Sequence, residues 1–171
     1  MRSASWPTAP CSWPKTPAWF LAEDAGLLGI IAEEATRGIR VRLALGDPGS
    51  SAIAQRGQEE GIGDAMAAKI RNALTLYCPL PEYESVEIRL HQTILYNSIY
   101  RADGRVLVNQ HAYGIPASHS PVYCFRETEK GDMATAYVGS FERVWATAQA
   151  TQRAADDRWA GPEGLGGSHR A

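Results

Sequence analysis

The stretch ILYNSIYRADGRVLVNQH, residues 94–111, constrains the fold more than any other part of the chain. Asp103-Gly104 supplies the positive φ that a tight hairpin needs, and the turn Ala102-Asp103-Gly104 is flanked by residues that favour strands. Alternation then sorts the side chains: Tyr96, Ser98 and Tyr100 share one face, and Asn97 and Ile99 the other. On the return strand Asn109 and His111 bracket Gln110. A purely structural hairpin does not need so many hydrogen-bonding and aromatic groups. They suit the orientation of a small polar ligand in a concave site, and they equally suit a polar sheet face packed on a partner chain.

The hairpin sits inside an alternation of helix and strand. In WFLAEDAGLLGIIAEEATRG, Leu27, Ile30, Ile31 and Ala35 recur at helical spacing, Glu23 and Asp24 lie near the start, and Gly38 is the stop. A strand follows in IRVRLALG, with Ile39, Val41, Leu43 and Leu45 opposite Arg40 and Arg42. Ser50 or Ser51 is placed to cap the next helix, which runs to residue 77 with a break around GIGD. Its apolar stripe is Ile62, Met66, Ile70, Ala73, Leu74 and Tyr77. VEIRLHQ is a second strand, with His91 on its polar face, and SPVYCFRETE another. The last helix carries Met133, Tyr137, Phe141, Val144 and Trp145 on its buried side. A helix feeding a strand, repeated, predicts an α/β fold: a mixed β-sheet flanked by helices.

Both ends read differently. Residues 1–18 hold four of the ten prolines, and two of the five tryptophans, without periodicity, which predicts a disordered Pro-rich arm. Residues 151–171 are Gly-rich and aperiodic and predict a disordered tail, leaving one domain over 19–150. A formal net charge of -2 offers no positive field for a polyanion. Cys11, Cys78 and Cys124 are odd in number and widely spaced, with no C-x-x-C pair, as expected of a cytoplasmic chain. No apolar run approaches a membrane span.

The signature loops of P-loop proteins, dinucleotide-binding folds, zinc proteases and serine hydrolases are all missing from the sequence. Asp47, in LGDP after a strand, either faces a ligand crevice at the strand's carboxyl end or starts a turn and caps a helix. His91, His111 and His119 are spaced by twenty and eight residues, without thiolates or an acidic cluster, so no metal and no cofactor is expected.

Four segments, GIRVRLALGDP, EEGIGDAMAAKIRNALTLY, VEIRLHQTILYNSIYRADGRVLVNQHAYGIPASHSPVY and SFERVWATA, together resemble a phospholipase D-like domain of actinobacterial proteins. That domain commonly follows an XRE-type helix-turn-helix. The likeness covers roughly residues 19–148 and implies one half of a phospholipase D-like fold. Active members of the superfamily carry H-x-K-x4-D followed by Gly-Ser, and two such motifs meet across one site. The resemblance implies a His that attacks phosphorus, a Lys that binds phosphate oxygens and an Asp that tunes the His. Aligning Asp103 with the motif Asp puts Tyr96 at the His and Ser98 at the Lys, while Gln110 and His111 fall at Gly-Ser. Starting from His91 instead puts Thr93 at the Lys and Ser98 at the Asp. The motif is degenerate in either register.

The resemblance therefore implies a non-catalytic ligand-sensing and dimerisation domain related to bacterial transcriptional regulators. It is expected to be a homodimer that buries its 91–111 hairpins and takes a small polar or phosphate-bearing ligand. The expected ligand-binding residues are Asp47, His91, Tyr96, Ser98, Tyr100, Asn109 and His111. About twenty residues precede the first helix, too few for a helix-turn-helix, so no direct nucleic-acid binding and no membrane contact are expected. The alternative is a divergent phosphodiester hydrolase or transferase using His91 or His111, with Asp103 in support.

Overall fold

A computed structural model describes residues 25–127 and 133–151. The arm over 1–18, the tail beyond 151, and Glu23 and Asp24 lie outside the described residues. Helix α1, Ala25–Thr36, ends in a Schellman motif. Gly38 adopts φ +78°, its N–H reaches Ala35 O at 2.9 Å, and Ile39 N reaches Glu34 O at 3.1 Å. Strand β1, Val41–Gly46, leads through Ser50 into α2, Ser51–Glu59, with the Ser50 hydroxyl accepting from Ile53 N at 3.3 Å. After the break at Gly61-Ile62-Gly63 comes α3, Ala65–Tyr77, and then β2, Val86–His91.

β1 and β2 pair in parallel from Val41 with Val86 to Gly46 with His91, so α2 and α3 form the crossover that parallel strands require. A short β6, Gln149–Ala150, joins β2 antiparallel. One face of this sheet buries Val86 and Ile88 against Ala35 of α1 and Ala73, Leu74 and Tyr77 of α3. The other face meets α4, Met133–Thr147. There the Trp145 ring lies under two cations, with Arg89 at 4.5 Å and Arg42 at 5.3 Å from its centroid. Arg42 also donates to Glu142 at 2.8 Å.

The hairpin forms where its turn residues require it: β3, Asn97–Ala102, and β4, Arg105–Gln110, are joined by Asp103 at φ +48° and Gly104 at φ +72°. Two successive positive φ values match the right-handed twist of the strands they join. Strand β5, Val122–Arg126, pairs with β4. The fold is α/β, and its strands divide into two sheets, β1-β2-β6 mixed and β3-β4-β5 antiparallel, rather than the one sheet the sequence pattern predicts. Val106 and Val108 of the second sheet, with Ile99 and Phe125, pack on Ala134, Tyr137 and Val138 of α4. Helix α4 thus serves both sheets.

Two apolar assignments are corrected. Ile30 is 45% exposed, and Leu28 and Ala32 face the core in its place. Met133 is 55% exposed while Ala134 is fully buried. A small residue lets α4 approach β4 closely, and hydropathy alone favours the methionine.

Close approach also governs the α2–α3 corner. A Cβ on Gly57 would stand 2.2 Å from Gly63 O, whereas one on Gly29 would meet nothing within 4 Å. Gly57→Ala should therefore lower unfolding free energy by about 1–3 kcal/mol, and Gly29→Ala should raise it by roughly 0.4–1 kcal/mol. Urea denaturation of the two variants beside the wild type measures both.

Candidate functional site

Arg56, Glu59 and Glu60 stand at i, i+3 and i+4 on α2, so all three project from one helical face. That face turns inward to the root of the hairpin. Arg56 is only 4% exposed; it donates to Glu59 at 3.0 Å and to Glu60, itself buried. Its guanidinium lies 5.2 Å from the centroid of the Tyr96 ring. Two carboxylates and an aromatic face compensate one cation withdrawn from water.

The same guanidinium meets His111, with Arg56 Nη2 3.2 Å from His111 Nδ1. A guanidinium has donors only, so Nδ1 must accept. The proton of the neutral ring then sits on Nε2, which lies 3.1 Å from Ser98 Oγ; a backbone hydrogen bond at Leu95 favours the charged ring instead. Burial, and after it the Arg56 cation, push His111 below the ordinary histidine range, outweighing Glu60 and the Leu95 bond. In a serine hydrolase the tautomer is reversed: Nδ1–H points to a carboxylate and Nε2 is open to take the nucleophile's proton. Here Nε2 faces Ser98 already protonated.

Asn109, 1% exposed, stands directly opposite Ser98 across the β3–β4 ladder. Its Nδ2 donates to Ala117 O at 2.9 Å, and its Oδ1 is buried without a partner. Ala117 N points back to Glu60 Oε2 at 3.5 Å. Tyr100 lies on the same face as Ser98; burial raises its phenol and that of Tyr77 in the first core, Tyr77 to about 12.

The structure brings Tyr96, Ser98, Tyr100, Asn109 and His111 together. It leaves the other candidates apart. Asp103 is exposed at the tip of the hairpin, five residues beyond Ser98 and so about 17 Å along the strand. His91, on the polar face of its strand, is buried at the end of β2, where the sequence pattern makes exposure as much expected as a role in the site. Its Nδ1 accepts from Thr93 N at 3.3 Å, and burial pushes its pKa down. Asp47 does what its turn chemistry requires, accepting from Gly49 N and from Gln92 Nε2, both at 2.9 Å. Beside it, at the carboxyl end of β1, a groove of about 350 Å³ runs between α2 and α3, with Ser50, Ile53, Asp64 and Arg71 in its walls.

Arg56 and Glu60 are the residues that sequence reasoning missed. Their signal was the spacing R-x-x-E-E, which on most helices marks a solvated face. Among the described residues no group of three His, Cys, Asp or Glu side chains is placed to hold a metal ion, and no helix is long and apolar enough to cross a membrane. No protein-family model, curated protein or solved structure matches this chain.

Removing the buried cation leaves two acidic groups without their partner. Arg56→Ala should cost about 3–5 kcal/mol of unfolding free energy, against roughly 0–1 kcal/mol for Arg37→Ala, whose pairs with Glu33 and Glu34 are exposed. The titrations set the pH dependence. His91 and His111 bind protons more weakly folded than unfolded, so their contribution is complete above the unfolded histidine pKa of about 6.5 and is lost as pH falls. Tyr77 and Tyr100 hold theirs more tightly, so stability declines as pH rises past about 10. Chemical denaturation from pH 5 to 11 should show both declines.

Proposed function

We propose that this chain is a non-catalytic ligand-binding and dimerisation module, of the kind its resemblance to phospholipase D-like regulator domains implies. The observation that carries this reading is the Arg56 to His111 contact. With Nδ1 occupied by a guanidinium, the imidazole has no free lone pair with which to take a proton from a nucleophile. Asp103, the one residue retained from the H-x-K-x4-D pattern, makes the turn and stands a strand's length from His111. No fixed Lys occupies the position where phosphate oxygens would bind.

Binding has better support than turnover. The groove lies at the carboxyl end of β1, where open α/β sheets gather their ligands. Arg71 in its wall and the adjoining Asp47–Gln92 pair offer both a cation and acceptors to a small polar or phosphate-bearing ligand. For dimerisation, the polar face of the hairpin sheet presents Tyr96 and Val122, each close to half exposed, to a second copy. A net charge of -2 favours neither DNA nor RNA as a partner of this chain alone.

The test is hydrolysis of bis(p-nitrophenyl) phosphate by the wild type, His91→Ala and His111→Ala, with light scattering on the same samples. The expected result is a particle of twice the monomer mass that releases no p-nitrophenol above the buffer blank. A thermal-shift screen of phosphate-bearing metabolites should then raise its melting temperature, and raise it less in Arg71→Ala. Turnover that His91→Ala or His111→Ala abolishes would replace this reading with a divergent phosphodiester hydrolase or transferase.

A further inference from the structure

The segment between β4 and β5 leaves the sheet at Gln110 and returns at Pro121, with Gln110 N donating to Pro121 O at 3.0 Å. It is an Ω-loop with closed ends. Tyr113 and Ile115 at its tip are exposed, and no apolar side chain of the loop is counted in either core. The peptide group of Ala117 holds it down: the carbonyl accepts from Asn109 and the N–H points to Glu60. At the root of the loop is His111, whose Nδ1 accepts from Arg56, the same Arg56 that grips Glu60.

We propose that residues 111–121 form a strap, latched over Asn109 while His111 is neutral and released when His111 takes a proton. The proton goes to Nδ1, the atom that accepts from Arg56, so two donors then face each other 3.2 Å apart. The ionisable groups around the ring are Arg56, Glu59 and Glu60 from α2 and Tyr96 and Tyr100 from the hairpin; His119, within the loop, is exposed and bonds its neighbour Ser118. Among these the nearest acceptors for a new Nδ1–H are the two carboxylates. If the ring swings away from Arg56, the root of the loop moves with it. If Glu60 turns to meet the ring, its Oε2 leaves Ala117 N. Either response removes a tie on the loop and leaves the Asn109 Nδ2 bond to Ala117 O as the remaining latch, so the strap opens more readily over Asn109, whose buried Oδ1 is already without a donor. Release belongs below the ordinary histidine range, because burial and Arg56 both favour the neutral ring. The strap is a property of the folded chain and does not depend on the proposed function.

Amide exchange by NMR, corrected for the intrinsic pH dependence, tests this on the whole chain. Ring titration of His111 is followed in the same samples. As the ring protonates, protection of the Ala117 amide and the Asn109 carboxamide should fall by about tenfold or more, while the Val108 amide in β4 keeps its protection. His111→Gln, neutral at every pH, should show no step. Unchanged protection through the ring titration, or the same step in His111→Gln, would overturn the proposal. In the wild type alone, a step that follows carboxylate titration instead of the ring would also overturn it.

Discussion

A guanidinium withdrawn from water is the constraint on which the second half of this molecule depends. Arg56 cannot sit at 4% exposure without partners, and those partners come from different elements. Glu59 and Glu60 belong to its own helix, Tyr96 to the approach to β3, and His111 to the end of β4. Satisfying the charge therefore fixes where the hairpin root lies against α2. The apolar contacts of the hairpin are on its other face, toward α4. Without the Arg56 cluster the polar face would have little to align it, since hydrophobic burial is not directional.

The cluster decides chemistry as well as position. An imidazole is versatile because either nitrogen can hold the proton, and its neighbours choose which. A carboxylate at Nδ1 would leave Nε2 free to act as a base toward Ser98. Arg56 at Nδ1 does the reverse, and it also opposes the charged ring. Ser98, His111 and Glu60 resemble parts of a catalytic site, but here Glu60 is turned to Arg56 and the proton of the neutral His111 ring is held on Nε2 toward Ser98. Among the described residues, Asn109 Oδ1 beside them is a buried acceptor without a partner, as is Asn97 Oδ1 at the start of β3.

Local rules carried much of the fold. The Asp103-Gly104 turn, the Gly38 stop, the Ser50 cap and the break at GIGD each follow from backbone preferences that act within a few residues. Strand faces were legible from alternation in Val41, Leu43 and Leu45 and in Val86, Ile88 and Leu90. What could not be read was tertiary. Nothing local says that the hairpin forms its own sheet with β5, or that α4 must approach β4 closely enough to favour Ala134 over Met133 at the contact. Likewise R-x-x-E-E looks the same on a solvated helix as on this one, and only the arrival of His111 and Tyr96 makes it a buried cluster. The burial of His91 was not legible for a related reason, since alternation assigns it a face without revealing what covers that face. The hairpin polar residues were found, and the cation that organises them was not.

The tautomer of His111 tests the account most directly. Long-range ¹H–¹⁵N correlation spectra at pH 7, with the ring assigned by comparison with His111→Gln, distinguish a protonated from an unprotonated ring nitrogen. The account requires a neutral ring with Nε2 protonated and Nδ1 bare. A ring carrying its proton on Nδ1, or carrying two, would mean that Arg56 does not hold it, and both the non-catalytic reading and the organising role of the buried cation would fail.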